Sequence, residues 1–450
     1  MSEESIQIVT ADWVFPMSGP PIRDGAVAFD GLFFEAVGPA SELRAKFPKA
    51  RVTEMPGCTI LPGFINAHTH LELTHRQRPP VPGSLVDWLI EMIRQGRHEA
   101  ADPQRQAELL KQSVAEGVRQ CLACGVTTAC DISSNCGQTR PMLTAGPMRV
   151  ISYGEVVGMS SRRDVLDGKL AAAMSRDQES DFLRCGISPH APYSVEMPGY
   201  EKCEQASARG AYPLTTHLAE SADEAEFLAT GGGALARLWE KLGGLDDRVP
   251  RFAGGPIRMA KAVGLLDQPT LLAHVNYCDD DEMRILAAGR AGVVWCPRTH
   301  AYFGHPPHRW REMLDLGIRV MIGTDSAASS GDLNILDDLR LVRRQNPGLP
   351  ATQLFEMVTT HAATALNGDA ASFSRDSINN GHFDPTEPRR PVKKGETSCV
   401  PVIGPGRLAV GAWADMAAFH VAGEHPLESI LDDGLSPIRV WISGDIVPHG

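Results

Sequence analysis

Leu61-Pro-Gly-Phe-Ile-Asn-Ala-His-Thr-His70 is the stretch from which the rest of the chain can be read. Cys58 to Phe64 is mostly apolar and predicts a buried strand, with His68 and His70 at its end, two residues apart. Side chains alternate along extended backbone, so residues i and i+2 point the same way. Two imidazoles so placed aim at one point, within bonding reach of a divalent cation such as zinc. A His-x-His pair alone is weak, because most histidines are solvated or buried with a partner. Its weight depends on what later strands deliver.

Seven further apolar runs of strand length follow Thr59–Asn66: Val126–Ile132, Arg149–Val157, Gly186–His190, Pro213–His217, Thr270–His274, Gly292–Cys296 and Arg319–Thr324. Helical patterns such as Leu85–Ile93, Ala107–Leu122, Ala222–Leu242 and Asp280–Ala288 lie between them. Eight strands alternating with helices predict an α/β chain whose main body is a (β/α)8 TIM barrel. A doubly wound open sheet would place a glycine-rich phosphate loop after its first strand; histidines stand there instead. In such a barrel the C-terminal strand ends open onto one face, where chemistry collects. Taken in order, those ends carry His68 and His70, then Asp131, Glu155, His190, His217 with Glu220, His274, Arg298, and Asp325. Any one of them has a bland explanation, such as a helix cap or a satisfied core histidine. Together they converge, and a metal centre is the expectation.

The flanks have a different texture. Residues 5–57 read as short strands punctuated by Pro and Gly, and residues 406–450 repeat that texture. A small β-sandwich domain built from both termini is expected, from 1–57 and 406–450, around a barrel over 58–368. Between them, 369–405 is polar and rich in Pro, Gly, Ser and Asn, which predicts an insertion or a flap. With 450 residues, 43% of them hydrophobic, the chain can bury a large core. Its net charge of −12 argues against nucleic acid or an anionic membrane as partner. The acidic start, Met1-Ser-Glu-Glu, lacks a secretory pattern, and no apolar run approaches the ~20 residues that span a bilayer. Ten cysteines show no framework spacing. Cys121 and Cys124, the one C-x-x-C, sit in an apolar helix and read as buried thiols of a cytoplasmic protein.

The motifs resemble those of the amidohydrolase superfamily, in its branch of metal-dependent deaminases and chlorohydrolases. The residues carrying the resemblance are Leu61 to His70, Gly125-Val-Thr-Thr, Ser188-Pro-His-Ala-Pro-Tyr-Ser, His217-Leu-Ala-Glu, Leu272-Ala-His, Cys296-Pro-Arg, Gly323-Thr-Asp-Ser, and Gly406 to Met416. It covers nearly the whole chain apart from about 369–405. It implies metal ligands His68, His70, His217 and Asp325. It also implies Glu220 as the proton carrier, with His274 polarising the water or the substrate and Asp325 sharing a proton. His190 matches a position lining the substrate pocket. Trp88 resembles a feature of that branch's first loop, although a core-facing tryptophan gives the same pattern. With the strand-end residues Glu155 and Arg298, these two make up the expected substrate-binding set.

A divalent cation lowers the pKa of a bound water from 15.7 to about 7, which makes hydrolysis feasible near neutral pH. Binuclear members of the superfamily bridge two ions with a carboxylated lysine on the fourth strand. Leu183 to Ser194 contains no lysine, so one metal per chain is expected, zinc first and iron second. The resemblance implies hydrolytic release of ammonia from a heteroaromatic amine, with an adenine-type or thioether nucleoside as the leading substrate. A chlorohydrolase, a guanine deaminase or an imidazolonepropionase-like hydrolase is the alternative. A scaffold without chemistry is disfavoured, because all four ligand positions are present. The loop Cys296–His308 is rich in histidine and aromatics, and serves equally as a ring-stacking surface or as packing over the barrel mouth. The resemblance also raises a homo-oligomer, dimer or tetramer.

Overall fold

The structure is a computed structural model that describes residues 6–79, 84–367, 373–374, 401–402 and 404–448. The chain opens with β1 (Gln7–Val14), β2 (Ile22–Phe29), β3 (Phe34–Pro39) and β4 (Arg51–Pro62). Eight strands follow: β5 (Phe64–Thr69), β6 (Val126–Ser133), β7 (Arg149–Val156), β8 (Leu183–Pro189), β9 (Leu214–Leu218), β10 (Thr270–His274), β11 (Gly292–Trp295) and β12 (Val320–Ile322). β13 (Phe373–Ser374) and β14 (Pro401–Val402) pair with each other, and β15 (Met416–Phe419), β16 (Arg439–Ile442) and β17 (Asp445–Val447) end the chain.

β5 to β12 form one eight-stranded sheet in sequence order, with helices between the strands. Its two edges meet at a parallel bridge between Thr69 and Asp325, where Asp325 N–H donates to His68 O at 3.0 Å. The ring is therefore nearly closed. Every residue of β5, β6, β9 and β10 is buried, as expected for strands covered on both faces, threonine, asparagine and histidine side chains included. Gly323 makes the closure sterically possible, since a Cβ there would lie 2.7 Å from His68 O.

The terminal strands form a separate seven-stranded sheet in the order β17-β16-β15-β4-β1-β2-β3. Its residues alternate between two cores: Val27 and Phe29 pack on one side with Phe34, Ile60 and Trp441, and Ala26 and Ala28 on the other with Ile8 and Leu43. By contacts the chain divides into two compact units, Met1–Ile65 with Pro350–His449, and Asn66–Leu349.

The run Thr59–Asn66, expected as a single strand, serves both sheets. Thr59 to Pro62 pair with Phe419 to Met416, and the barrel strand starts only at Phe64. Pro62 has no N–H to continue a ladder, and Gly63 turns its own N–H to Asp415 O. The expected helix Ala222–Leu242 is two, Asp223–Thr230 and Ala234–Leu242, parted by Gly231 and Gly233 at φ +69° and +73°. Two short helices, Ala351–Met357 and Thr360–Asn367, are separated by the β-branched pair Val358-Thr359. Within 406–450, whose texture suggested short strands, Gly406–Gly411 is irregular, with both glycines at positive φ. The polar stretch 369–405 lies outside the described residues except for β13, β14 and residues 404–405. Cys121 and Cys124 are buried free thiols, and neither belongs to a metal-ligand group among the described residues. No described helix is long and apolar enough to cross a membrane.

Candidate metal centre and its cavity

β5 delivers His68 and His70, β9 delivers His217, and the turn after β12 delivers Asp325. The three imidazoles each offer a nitrogen within 4.8 Å of the others, the one such group among the described residues. His217 Nε2 lies 3.4 Å from His70 Nε2, and Asp325 Oδ1 lies 3.4 Å from His70 Nε2 and 3.6 Å from His68 Nε2. A tetrahedral ion bound at about 2.0–2.1 Å sets neighbouring donors roughly 3.3–3.4 Å apart, so these spacings match such an ion. Protonation states agree. Burial holds His68 and His70 well below the ordinary histidine range and His217 at about 4, so all three are neutral at pH 7 with lone pairs to give. His217 Nδ1 donates to His190 O at 3.0 Å, which leaves Nε2 bare and facing His70. His68 is 1% exposed, and neither of its ring nitrogens has a hydrogen-bond partner. A buried imidazole without partners is costly unless something else takes its lone pair. The residues present fit a divalent cation.

Asp325 is held from behind. It sits at φ +60°, and its Oδ2 accepts from Ser329 Oγ at 3.0 Å, which Thr299 Oγ1 approaches in turn at 2.9 Å. Glu220 follows His217 by three residues in the loop before the helix Asp223–Thr230. The Glu224 carboxylate shapes this loop by accepting the N–H groups of Ala219, Glu220 and Ser221. Glu220 is 5% exposed, and burial, aided by the charge of Asp325, holds its carboxyl well above the usual range. Tyr193 O–H donates to its Oε2 at 3.3 Å, while Oε1 stands 3.6 Å from His274 Nε2. That nitrogen is buried without a partner. A carboxyl whose proton affinity burial raises and an imidazole whose proton affinity burial lowers therefore face each other beside the ligand group, a pairing suited to general acid–base chemistry.

His70, His217, Glu220 and Asp325 open into a cavity of about 630 Å³. One wall is apolar, with Leu89, Met92, Ile93, Leu238 and Leu242; another is polar, with Glu72, Ser134, Asn135, Glu155 and Lys169. His190, Glu155 and Trp88, expected to bind substrate, all line it. His190 Nε2 is 3.8 Å from Glu155 Oε1, and Ser134 Oγ donates to Glu155. Trp88 Nε1 donates to Ala328 O at 3.0 Å, so its ring is fixed in the wall.

Arg298 is a correction. It does not line the cavity: its Nε is 2.9 Å from Asp338 Oδ2, its Nη1 2.6 Å from Asp332 Oδ1, and Nη2 donates to two carbonyls. A strand-end arginine can aim behind the site as easily as into it, and two carboxylates claim this one, the buried Asp338 and the half-exposed Asp332. The histidines of Cys296–His308 do not line the cavity either; His308 and Trp310 stack on Trp295, which makes this loop packing. Tyr193, Glu224 and Ser329 escaped sequence reasoning. Tyr193 lies inside the quoted Ser188–Ser194 motif, so a signal was there; Glu224 and Ser329 act through contacts that no spacing rule reveals.

The sequence profile of the amidohydrolase family matches residues 59–371. The chain is 30% identical over 360 residues to an aminodeoxyfutalosine deaminase of Deinococcus radiodurans, covering 76% of this chain and 81% of that one. It is 26% identical over 364 residues to a 5-methylthioadenosine/S-adenosylhomocysteine deaminase of Pelotomaculum thermopropionicum, covering 78% of each. Among solved structures, Helicobacter pylori aminofutalosine deaminase in complex with methylthio-coformycin aligns with a TM-score of 0.79 at 20% identity, over 98% of this chain and 100% of that one, and so shares the fold.

Proposed function

The chain belongs to the amidohydrolase family and is a hydrolase of carbon–nitrogen bonds, and on that premise we propose that it deaminates an adenine-type or thioether nucleoside with one divalent metal ion per chain. The observation carrying this reading is the buried, partnerless His68 beside His70, His217 and Asp325. The deaminases of nucleosides among its relatives support the substrate class. His68, His70, His217 and Asp325 would hold the ion, zinc before iron, because neutral imidazoles with a carboxylate suit zinc well. The absence of lysine from β8 supports a single ion. When bound, the ion supplies a Lewis acid that makes water nucleophilic near neutral pH.

The chain's own groups do the rest. Glu220 takes one proton of the attacking water and hands it to a ring nitrogen, and the second proton, from the hydroxyl so formed, goes to the amine that departs as ammonia. Tyr193 keeps that carboxyl oriented. His274 donates a hydrogen bond to the charge that develops at the reacting carbon, with Asp325 as the second acceptor of protons. His190, Glu155 and Trp88 line the space for base and sugar.

Incubating the zinc-loaded protein with methylthioadenosine, S-adenosylhomocysteine, adenosine and aminodeoxyfutalosine tests the reading. Stoichiometric ammonia from at least one is expected, and silence from all four overturns it. Chloride release from a chlorotriazine instead would favour the chlorohydrolase alternative. Glu220→Gln should lower kcat by about 10²–10⁴-fold while metal content stays constant. Full activity in that variant would remove the proton carrier from the mechanism.

A further inference from the structure

The loops after β9 and β10 carry Glu220 and His274 through backbone that L-residues avoid. Ala219 has φ +51°, His274 +75° and Val275 +49°. For a β-branched residue such as Val275 this is an outlier that surrounding structure must impose. Three main-chain bonds stitch the loops together: Val275 N–H to Leu218 O and Asn276 N–H to Ala219 O, each 2.9 Å, and Tyr277 N–H to Ala219 O at 3.3 Å. Two side chains complete the hold. Asn276 Nδ2 donates to Glu220 O at 3.0 Å, and His308 Nε2 donates to His274 O at 2.9 Å. Neither side chain lines the cavity.

Both are themselves immobilised. The amide orientation of Asn276 follows from Glu220 O, since a carbonyl can only accept: Nδ2 faces it, and Oδ1 lies 3.0 Å from Nδ1 of His300, whose single proton is shared between this contact and that of Nε2 with Pro306 O at 2.8 Å. The His308 ring lies on Trp295, centroids 5.0 Å apart and planes 16° from parallel. The carbonyls of the two residues whose side chains meet at 3.6 Å are thus each gripped from outside the cavity.

We propose that Asn276 and His308 are positioning residues, which hold the backbones of Glu220 and His274 in register so that carboxyl and imidazole face each other over the reacting atoms. The kinetic part of the test rests on the deaminase reading; the structural part does not. Asn276→Ala and His308→Phe remove the donors, the second while keeping a ring on Trp295, and His308→Gln returns an N–H. With methylthioadenosine as substrate, the first two should lower kcat by about 10–100-fold with KM within about twofold and a full complement of zinc. His308→Gln should recover most of the loss. Crystal structures of the two variants should show the Glu220–His274 separation opened beyond 3.6 Å. Unchanged kcat, KM rising in step with the loss, departure of zinc, or no recovery in His308→Gln would each overturn the proposal. If one variant does not fold, the other carries the same test. If wild-type protein deaminates no nucleoside, the functional reading fails alone, and an unchanged separation in the variant structures still overturns this one.

Discussion

Arg298 and Asp338 show what a buried pair demands of a single side chain. Asp338 is fully buried and titrates at about 6, raised by burial and drawn back by the guanidinium. Arg298→Ala removes the counter-charge and leaves the backbone N–H of residue 298, 2.9 Å from Asp338 Oδ1, to oppose burial with far less strength. Breaking such a pair typically costs about 3–5 kcal/mol, because the remaining charge has no compensation. The loss should depend on pH with a definite sign. Below pH 6 the folded protein already keeps Asp338 protonated, so the variant loses little; above it the carboxyl must be charged or pull a proton from solvent, and the loss grows. Urea unfolding at pH 5 and pH 8 reads this, and KM for the nucleoside should hardly move. At this scale His68 and His70 were legible, because i and i+2 in extended chain share a side. Asn276 and His308 were not, since their partners are carbonyls that only two neighbouring loops bring within reach.

At the scale of elements, the seam between β5 and β12 is the sensitive joint. A Cβ on Gly323 would meet His68 O, Cβ and N at 2.7–2.8 Å, all atoms of a metal-ligand candidate that cannot swing away. Gly323→Ala should therefore push His68 out of place, weakening zinc binding by about 10–100-fold in a competition titration, with a lower Tm. Unaltered zinc affinity would show that the seam yields without disturbing His68. The eight barrel strands were legible because burial on both faces enriches each in apolar and β-branched residues, with polar groups gathered at the C-terminal ends. The first was misjudged for the same reason: an apolar run says that residues are buried, not in which sheet. Pro62-Gly63 divides it, and a hydrophobic pattern carries no mark of that division.

For the whole molecule, two measurements bear on the core and the ion. The nine described cysteines are free, and burial raises every one of their thiols: Cys124 and Cys185 to about 11, Cys130, Cys203 and Cys278 to about 12. Few thiolates exist at pH 8, so an aromatic disulfide reagent should label no more than one thiol in the native protein and all ten in guanidinium. Cys399 lies outside the described residues. Stripping the metal should lower Tm, and returning zinc should restore it with a concentration dependence, by about 4 kcal/mol when free zinc reaches 1,000 times Kd. A Tm indifferent to chelation would contradict a cation bound at His68, whose nitrogens have no other partner.

The sequence by itself determined the alternating strands and helices, the histidine pair at the first strand's end, and the motif residues at the later ones. Those depend on local periodicity, which a chain displays before it folds. Only the tertiary structure decided that Arg298 turns to Asp332 and Asp338, that one apolar run feeds two sheets, and that Glu220 faces His274 across backbone held by Asn276 and His308. These are contacts between residues tens to hundreds of positions apart, and their geometry exists only once the loops at the strand ends have been packed together.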